Sequence, residues 1–164
     1  MTNDERVWNG TWNVSSIQND PRSTVTLCGV WPVAVARTDL DSHADSPCVG
    51  KNSLIVEKTG RSVNVSVALP SLGVTEAPIV TAAVTYDAPS GESYVVVINQ
   101  ALYFHEIDNN LIGPNMIRMN GVRVNDTPKS LVQHPTNDDH AIIFDDDGVR
   151  IPLSIKGVIS YFPT

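Results

Sequence analysis

The chain has 164 residues, with 11 Lys plus Arg against 18 Asp plus Glu and a formal charge of −7. Its 22 Val and 12 Ile outnumber 9 Leu, a bias toward pleated surfaces that disfavours a helical bundle or coiled coil. An apolar fraction of 41% argues against disorder. The acidic balance argues against a general nucleic-acid binder, which needs a basic footprint, and the length fits one domain, residues 1–164.

In chain order, Val7–Val14 reads as an outer strand or hairpin. Val25–Leu27 and Val33–Ala36 read as strands broken by Gly29 and Pro32. Leu54–Val56 and Val63–Val67 follow, the latter with period-2 alternation. A turn-rich segment, Pro70-Ser71-Leu72-Gly73, comes next, with Pro78 beyond it. Ile79–Tyr86 and Tyr94–Asn99 flank Asp87–Glu92 as a hairpin with a loop of about 5–7 residues. The one helix expected is Pro114–Asn120, with Pro at its start and Gly121 just past its end. Val122–Val124 resumes strand character. Ala141–Phe144 and Val149–Leu153 form a hairpin about Asp145-Asp146-Asp147-Gly148, and Val158–Phe162 closes the chain. The fold expected is all-β with one short helix. No long βαβ crossover is present to build a Rossmann or TIM architecture.

The longest apolar runs, such as Tyr94–Ile98, are far shorter than the roughly 18 residues of a spanning helix. Met1–Gly10 is polar and charged, so no secretion signal and a cytoplasmic location are expected. On that reading the sequons at Asn9, Asn13, Asn64 and Asn125 are unmodified, and Cys28 and Cys48 are two free thiols rather than a disulfide. His105, His134 and His140 read as surface or satisfied histidines. Trp8, Trp12 and Trp31 read as core or interface. The Asp145–Gly148 run lacks the ligand spacing of a calcium loop.

The chemistry-bearing stretch is an apolar strand running into Leu40-Asp41-Ser42-His43-Ala44-Asp45. A carboxylate at the end of a buried strand sits on a rigid element, as positioned acid–base chemistry requires. Ser42 is short enough to bond neighbouring backbone and hold the loop. Asp41, His43 and Asp45 also alternate with period 2, the pattern of a zinc or manganese site, but no fourth ligand is evident and no metal or cofactor is expected.

This stretch resembles the Leu-Asp-Ser/Thr-Gly-Ala-Asp signature of retropepsin-type aspartic proteases. About 70 residues on, Asn110-Leu111-Ile112-Gly113 resembles that family's second hallmark, two apolar residues and a glycine leading into a short helix. The likeness is greatest to the protease domains of retrotransposon polyproteins. It covers about 25–125 as a core, leaving 1–24 and 126–164 as extensions. The resemblance implies a retropepsin-like acid-protease barrel and a homodimer, since the chain holds one such motif and the chemistry needs two carboxylates. It implies that Asp41 is catalytic, that Ser42 grips the partner's loop, and that Ala44 and Asp45 line the cleft. A flap near Ser66–Pro78 would carry Gly73 near its tip. The substrate implied is a peptide or polyprotein, with no nucleic acid and no membrane.

The chain departs from the family at His43, where the pattern has glycine. Glycine allows close approach and unusual dihedrals, and an imidazole adds bulk and, when protonated, charge beside the catalytic pair. This keeps open a second expectation, a catalytically inactive retropepsin-like domain that dimerises or binds peptide as a β-strand. The aromatic–Pro junction in Tyr161-Phe162-Pro163-Thr164 resembles a processing site of such enzymes.

Overall fold

A computed structural model describes residues 13–16, 36–66 and 73–164. The expected strands at Val25–Leu27 and at residues 33–35 lie outside the described residues, as do Cys28 and the three tryptophans. The described residues form twelve strands and one α-helix, and are thus all-β with one short helix.

Nine strands make one sheet. They are β1 (Asn13–Ser16), β2 (Arg37–Leu40), β3 (Cys48–Val49), β4 (Leu54–Ser66), β5 (Val74–Asp87), β6 (Ser93–Tyr103), β7 (Asn110–Ile112), β11 (Ser154–Lys156) and β12 (Ile159–Pro163). Their order is β11-β12-β2-β7-β3-β6-β5-β4, with β1 also on β6. The other sheet has the order β10-β9-β8, from β10 (Val149–Pro152), β9 (Ala141–Phe144) and β8 (Arg123–Asn125). The helix α1 spans Pro114–Met119, close to the expected 114–120, with Pro at its N-terminus and Gly121 at φ +78 after it. It buries Met116 and Ile117.

Burial welds the two sheets into one core. Val80, Val84, Val96, Ile98 and Ile112 from the large sheet pack in the same cluster as Ile142, Phe144, Val149 and Ile151 from the small one. Fully burying such a side chain contributes about 1.5–3 kcal/mol. Phe162, 1% exposed, joins that cluster and meets Tyr86 edge to face, with centroids 6.3 Å apart.

Two features differ from the expected elements. Leu54–Val56 and the described part of Val63–Val67, residues 63–66, belong to one strand, β4, which stays paired to β5 through register shifts at Ile55/Glu57 and Lys58/Ser62. Its polar middle lies outside both expected strands, but β5 supplies the ladder. Pro78 lies inside β5, where β5 pairs with β4 alone; the β6 pairing begins at Ile79. A proline with no ladder on its other side is tolerated there.

Candidate active-site loop

The strand that delivers the loop is Arg37–Leu40, and Ala36 already lies outside it. Of the strand expected at Val33–Ala36 only Ala36 is described, and β2 itself stands on polar sequence. Thr38 and Asp39 are 0% and 5% exposed, and each has partners that make burial tolerable. Arg37 Nε lies 2.7 Å from Asp39 Oδ1 as an ion pair without a well-aligned hydrogen bond at that atom. Arg37 Nη2 and Asn109 Nδ2 donate to Asp39 Oδ2 at 3.3 and 3.4 Å. The Arg37 guanidinium also lies 5.0 Å from the ring centroid of Tyr161, the residue opposite Asp39 on β12.

β2 is clamped from both sides. β12 pairs with it antiparallel, and β7 pairs with it in parallel with Asp39 opposite Leu111 and Leu40 opposite Ile112. Asn110 anchors the second pairing. It is fully buried, and its Oδ1 accepts from the Gly50 N–H at 3.0 Å and the Ser53 hydroxyl at 2.8 Å. Its Nδ2 donates to Thr38 Oγ1 at 3.2 Å. One side chain thus ties β2, β7 and the turn between β3 and β4 together.

The loop from Asp41 to Asp45 begins where that clamp ends. The Asp41 N–H donates to the Ile112 carbonyl at 3.0 Å, and the Ala44 N–H donates back to the Asp41 carbonyl at 3.1 Å. Gly113 abuts the loop: a Cβ there would lie 2.4 Å from the Ala44 carbonyl oxygen. The structure therefore brings Asp41, Ala44, Ile112 and Gly113 into one assembly, with Leu111 in the parallel register behind it.

The Asp41 carboxylate is partly exposed, its side chain at 42%, and Oδ1 accepts from the His43 N–H at 2.9 Å. That bond holds the carboxylate in a fixed orientation. The His43 imidazole is 94% exposed, with Nδ1 3.7 Å from Asp41 Oδ1 and 3.3 Å from Ser42 Oγ. Only Gln100 and His140 among the described non-glycine residues have positive φ. His43 therefore stands in ordinary backbone space, and its ring points outward rather than into the fold.

Asp45 is exposed on the same loop. Cys48, a free thiol three residues on, registers the loop's negative charge. Burial, then the Asp45 and Asp41 carboxylates, push its thiol up to about 11. Gly73 is not brought to the loop: it is exposed at φ +78 before β5, with nothing within 4 Å of its Cβ position. The arms flanking it pair from Leu54/Ala83 out to Ser66/Val74, and residues 67–72 lie outside the described residues. The Phe162–Pro163 junction lies within β12, with Phe162 buried and Pro163 opposite Arg37.

Thr38 and Asp39 are the residues that sequence reasoning missed, and Asn110, though part of the second hallmark, shows its anchoring role only in the structure. The period-2 Arg37/Asp39 pair on one strand face was their one visible signal. Among the described residues no group of three or more His, Cys, Asp or Glu side chains converges to hold a metal, and no helix is long and apolar enough to cross a membrane. Comparison with protein-family models, with curated proteins and with solved structures returns no match.

Proposed function

We propose that the protein is an aspartic endopeptidase of retropepsin type, in which two copies of the chain each contribute Asp41 to one site. The observation that carries this reading is the seating of the Asp41 loop. A half-exposed carboxylate leaves the end of a doubly clamped buried strand, its amide bonded to Ile112 and its loop closed against Gly113. A rigidly held, solvent-reachable carboxylate is what proton transfer to and from a bound water needs.

Two such carboxylates about 3 Å apart cannot both ionise and so share one proton. The ionised member takes a proton from water, and the water oxygen attacks the peptide carbonyl carbon. The protonated member donates to the carbonyl oxygen. The tetrahedral intermediate then breaks its C–N bond as a proton passes to the leaving amine. In this reading the barrel closes as in retropepsins, the β4–β5 hairpin covers the substrate, and the outward imidazole of His43 faces the partner or the cleft.

The contact between Ser42 Oγ and His43 Nδ1 favours one alternative. A hydroxyl engaged by its neighbour is less free to grip a partner loop, which suits a dimer that binds peptide without cutting it. Peptidase assays on a library of apolar-centred peptides from acid to neutral pH, with the oligomeric state measured alongside, separate the two. Activity in a dimer that disappears with Asp41→Asn supports the endopeptidase. A dimer inactive at every pH supports the binding domain. Full activity in a strict monomer overturns the paired-carboxylate mechanism.

A further inference from the structure

A second concavity lies at the middle of the β4–β5 hairpin, and none of its lining belongs to the Asp41 loop. It encloses about 420 Å³ and is walled by Ile55, Ile79, Val80 and Tyr103, with Lys58 and Arg61 also lining it. Ligand pockets run from roughly 300 to 1,000 Å³ with apolar walls and a few placed polar groups.

Two bulges shape this pocket. Between Lys58/Val80 and Ser62/Pro78, β4 has three residues where β5 has only Ile79. Gly60 turns at φ +73 inside that bulge, and Thr59 fixes it by donating from Oγ1 to the Ile79 carbonyl at 2.6 Å. On the other flank the β5–β6 register shifts between Val80 and Ala82, and Gln100 adopts φ +56, a left-handed conformation rare outside glycine. Bulges re-aim side chains. Here the result is that Gln100 accepts a hydrogen bond from the Arg61 guanidinium across the intervening β5.

Neither cation at this pocket is in an ion pair among the described residues. Every other described arginine pairs with a carboxylate: Arg37 with Asp39, Arg118 with Asp126, Arg123 with Asp138 and Asp145, and Arg150 with Asp138. Arg61 alone is held by a neutral amide, and Lys58 makes no ion pair among the described residues. Glu76 reaches this wall, where it accepts a hydrogen bond from the Ser62 hydroxyl, but it forms no ion pair with either cation. In a chain of net charge −7, two cations outside any ion pair beside an apolar hollow suit an anion with an apolar body.

We infer that the hollow between the β4 and β6 bulges binds a small amphiphilic monocarboxylate, its hydrocarbon on Ile55, Ile79, Val80 and Tyr103 and its carboxylate on Arg61 and Lys58. The guanidinium, already oriented by Gln100, presents its remaining N–H groups to the carboxylate oxygens.

The test is NMR titration of the full chain with decanoate and, in parallel, with decan-1-ol, both below their aggregation limits. Decanoate is expected to saturate, with the largest shifts at Ile55, Ile79, Val80 and Tyr103. Arg61→Gln and Lys58→Gln are each expected to weaken it about ten-fold, the scale of a charge-assisted hydrogen bond. Decanol is expected to bind more weakly and to ignore both substitutions. Both positions are exposed, and unchanged thermal melting shows that the variants fold. Non-saturating shifts, shifts mapped elsewhere, or decanoate affinity unaltered in the double variant overturns the inference. None of these readouts depends on peptidase activity.

Discussion

Gly113 sits with its Cα against the carbonyl of Ala44, so that a Cβ at 113 would stand 2.4 Å from that oxygen. Its φ of −70 is ordinary, so the demand for glycine here is space and not dihedral freedom. The contact is what locks the second hallmark segment onto the Asp41 loop.

Gly113→Ala is therefore expected to displace the loop. Overpacking of this kind costs about 1–3 kcal/mol, readable as a shift in denaturation midpoint with the circular dichroism of the native sheet retained. On the proposed chemistry, peptidase activity falls much further than stability, because Asp41 moves with its loop. Gly148→Ala is the control: its φ is +66 but its Cβ position is open, so it bears only the left-handed penalty of about 1–2 kcal/mol and spares activity. Equal activity losses in the two variants would refute the steric account.

The loop was legible in sequence because its parts are local and typed. A carboxylate, a hydroxyl and small residues follow a strand, and Pro114 and Gly121 bracket the helix. The strand behind the loop was not. Arg37, Thr38, Asp39 and Asn110 are polar, and hydrophobic periodicity has nothing to say about polar residues buried by virtue of one another. Their burial depends on partners up to 72 residues away. The unbroken run of β4 was hidden likewise, since Lys58 to Ser62 stay in the strand only through β5. β11 went unseen because all three of its residues are exposed and it exists only as the return arm of β12, through Gly157 at φ +64.

Asn110→Leu tests the buried network directly. It keeps the branched shape and heavy-atom count but strands the Gly50 N–H, the Ser53 hydroxyl and Thr38 Oγ1, all of which Asn110 satisfies. An unsatisfied buried group costs about 1–3 kcal/mol, and Ser53 and Thr38 can turn to other partners more easily than the Gly50 amide. A loss of about 2–4 kcal/mol in chemical denaturation is expected, with hydrogen exchange at the Gly50 amide accelerated. An unchanged exchange rate there would show that Asn110 is not the anchor.

His140 sets a pH limit on the fold. It is buried, its Nε2 is 2.9 Å from Ser160 Oγ on β12, and burial foremost, then Lys129, holds its imidazole below the usual histidine value. The unfolded chain therefore takes up a proton before the folded one does. Stability is complete above about pH 6.5, the ordinary histidine value, and declines as the pH falls below it toward the lowered folded value. Asp139 and Asp145, held low chiefly by bonds from Thr136 and Arg123 respectively, lose their share only in a separate window, below about pH 4. Melting temperatures from pH 7.5 down to 5 should fall, and His140→Asn, which tolerates the φ of +56 at that site, should flatten the slope. An identical slope in the variant would assign the loss elsewhere.

Cys48 offers a chemical readout of the loop's charge. Its thiol is pushed up to about 11 by burial first, then by Asp45, then by Asp41, so little thiolate exists at neutral pH and alkylation is slow. Peptide-resolved mass spectrometry after iodoacetamide treatment at pH 8 should find Cys48 unmodified in the folded chain and labelled in denaturant. Because burial leads, neither carboxylate alone frees the thiol. Asp45→Asn should nonetheless raise the labelling rate more than Asp41→Asn, following the order of their effects, and the double variant should exceed both. A faster rate in Asp41→Asn than in Asp45→Asn would refute that order.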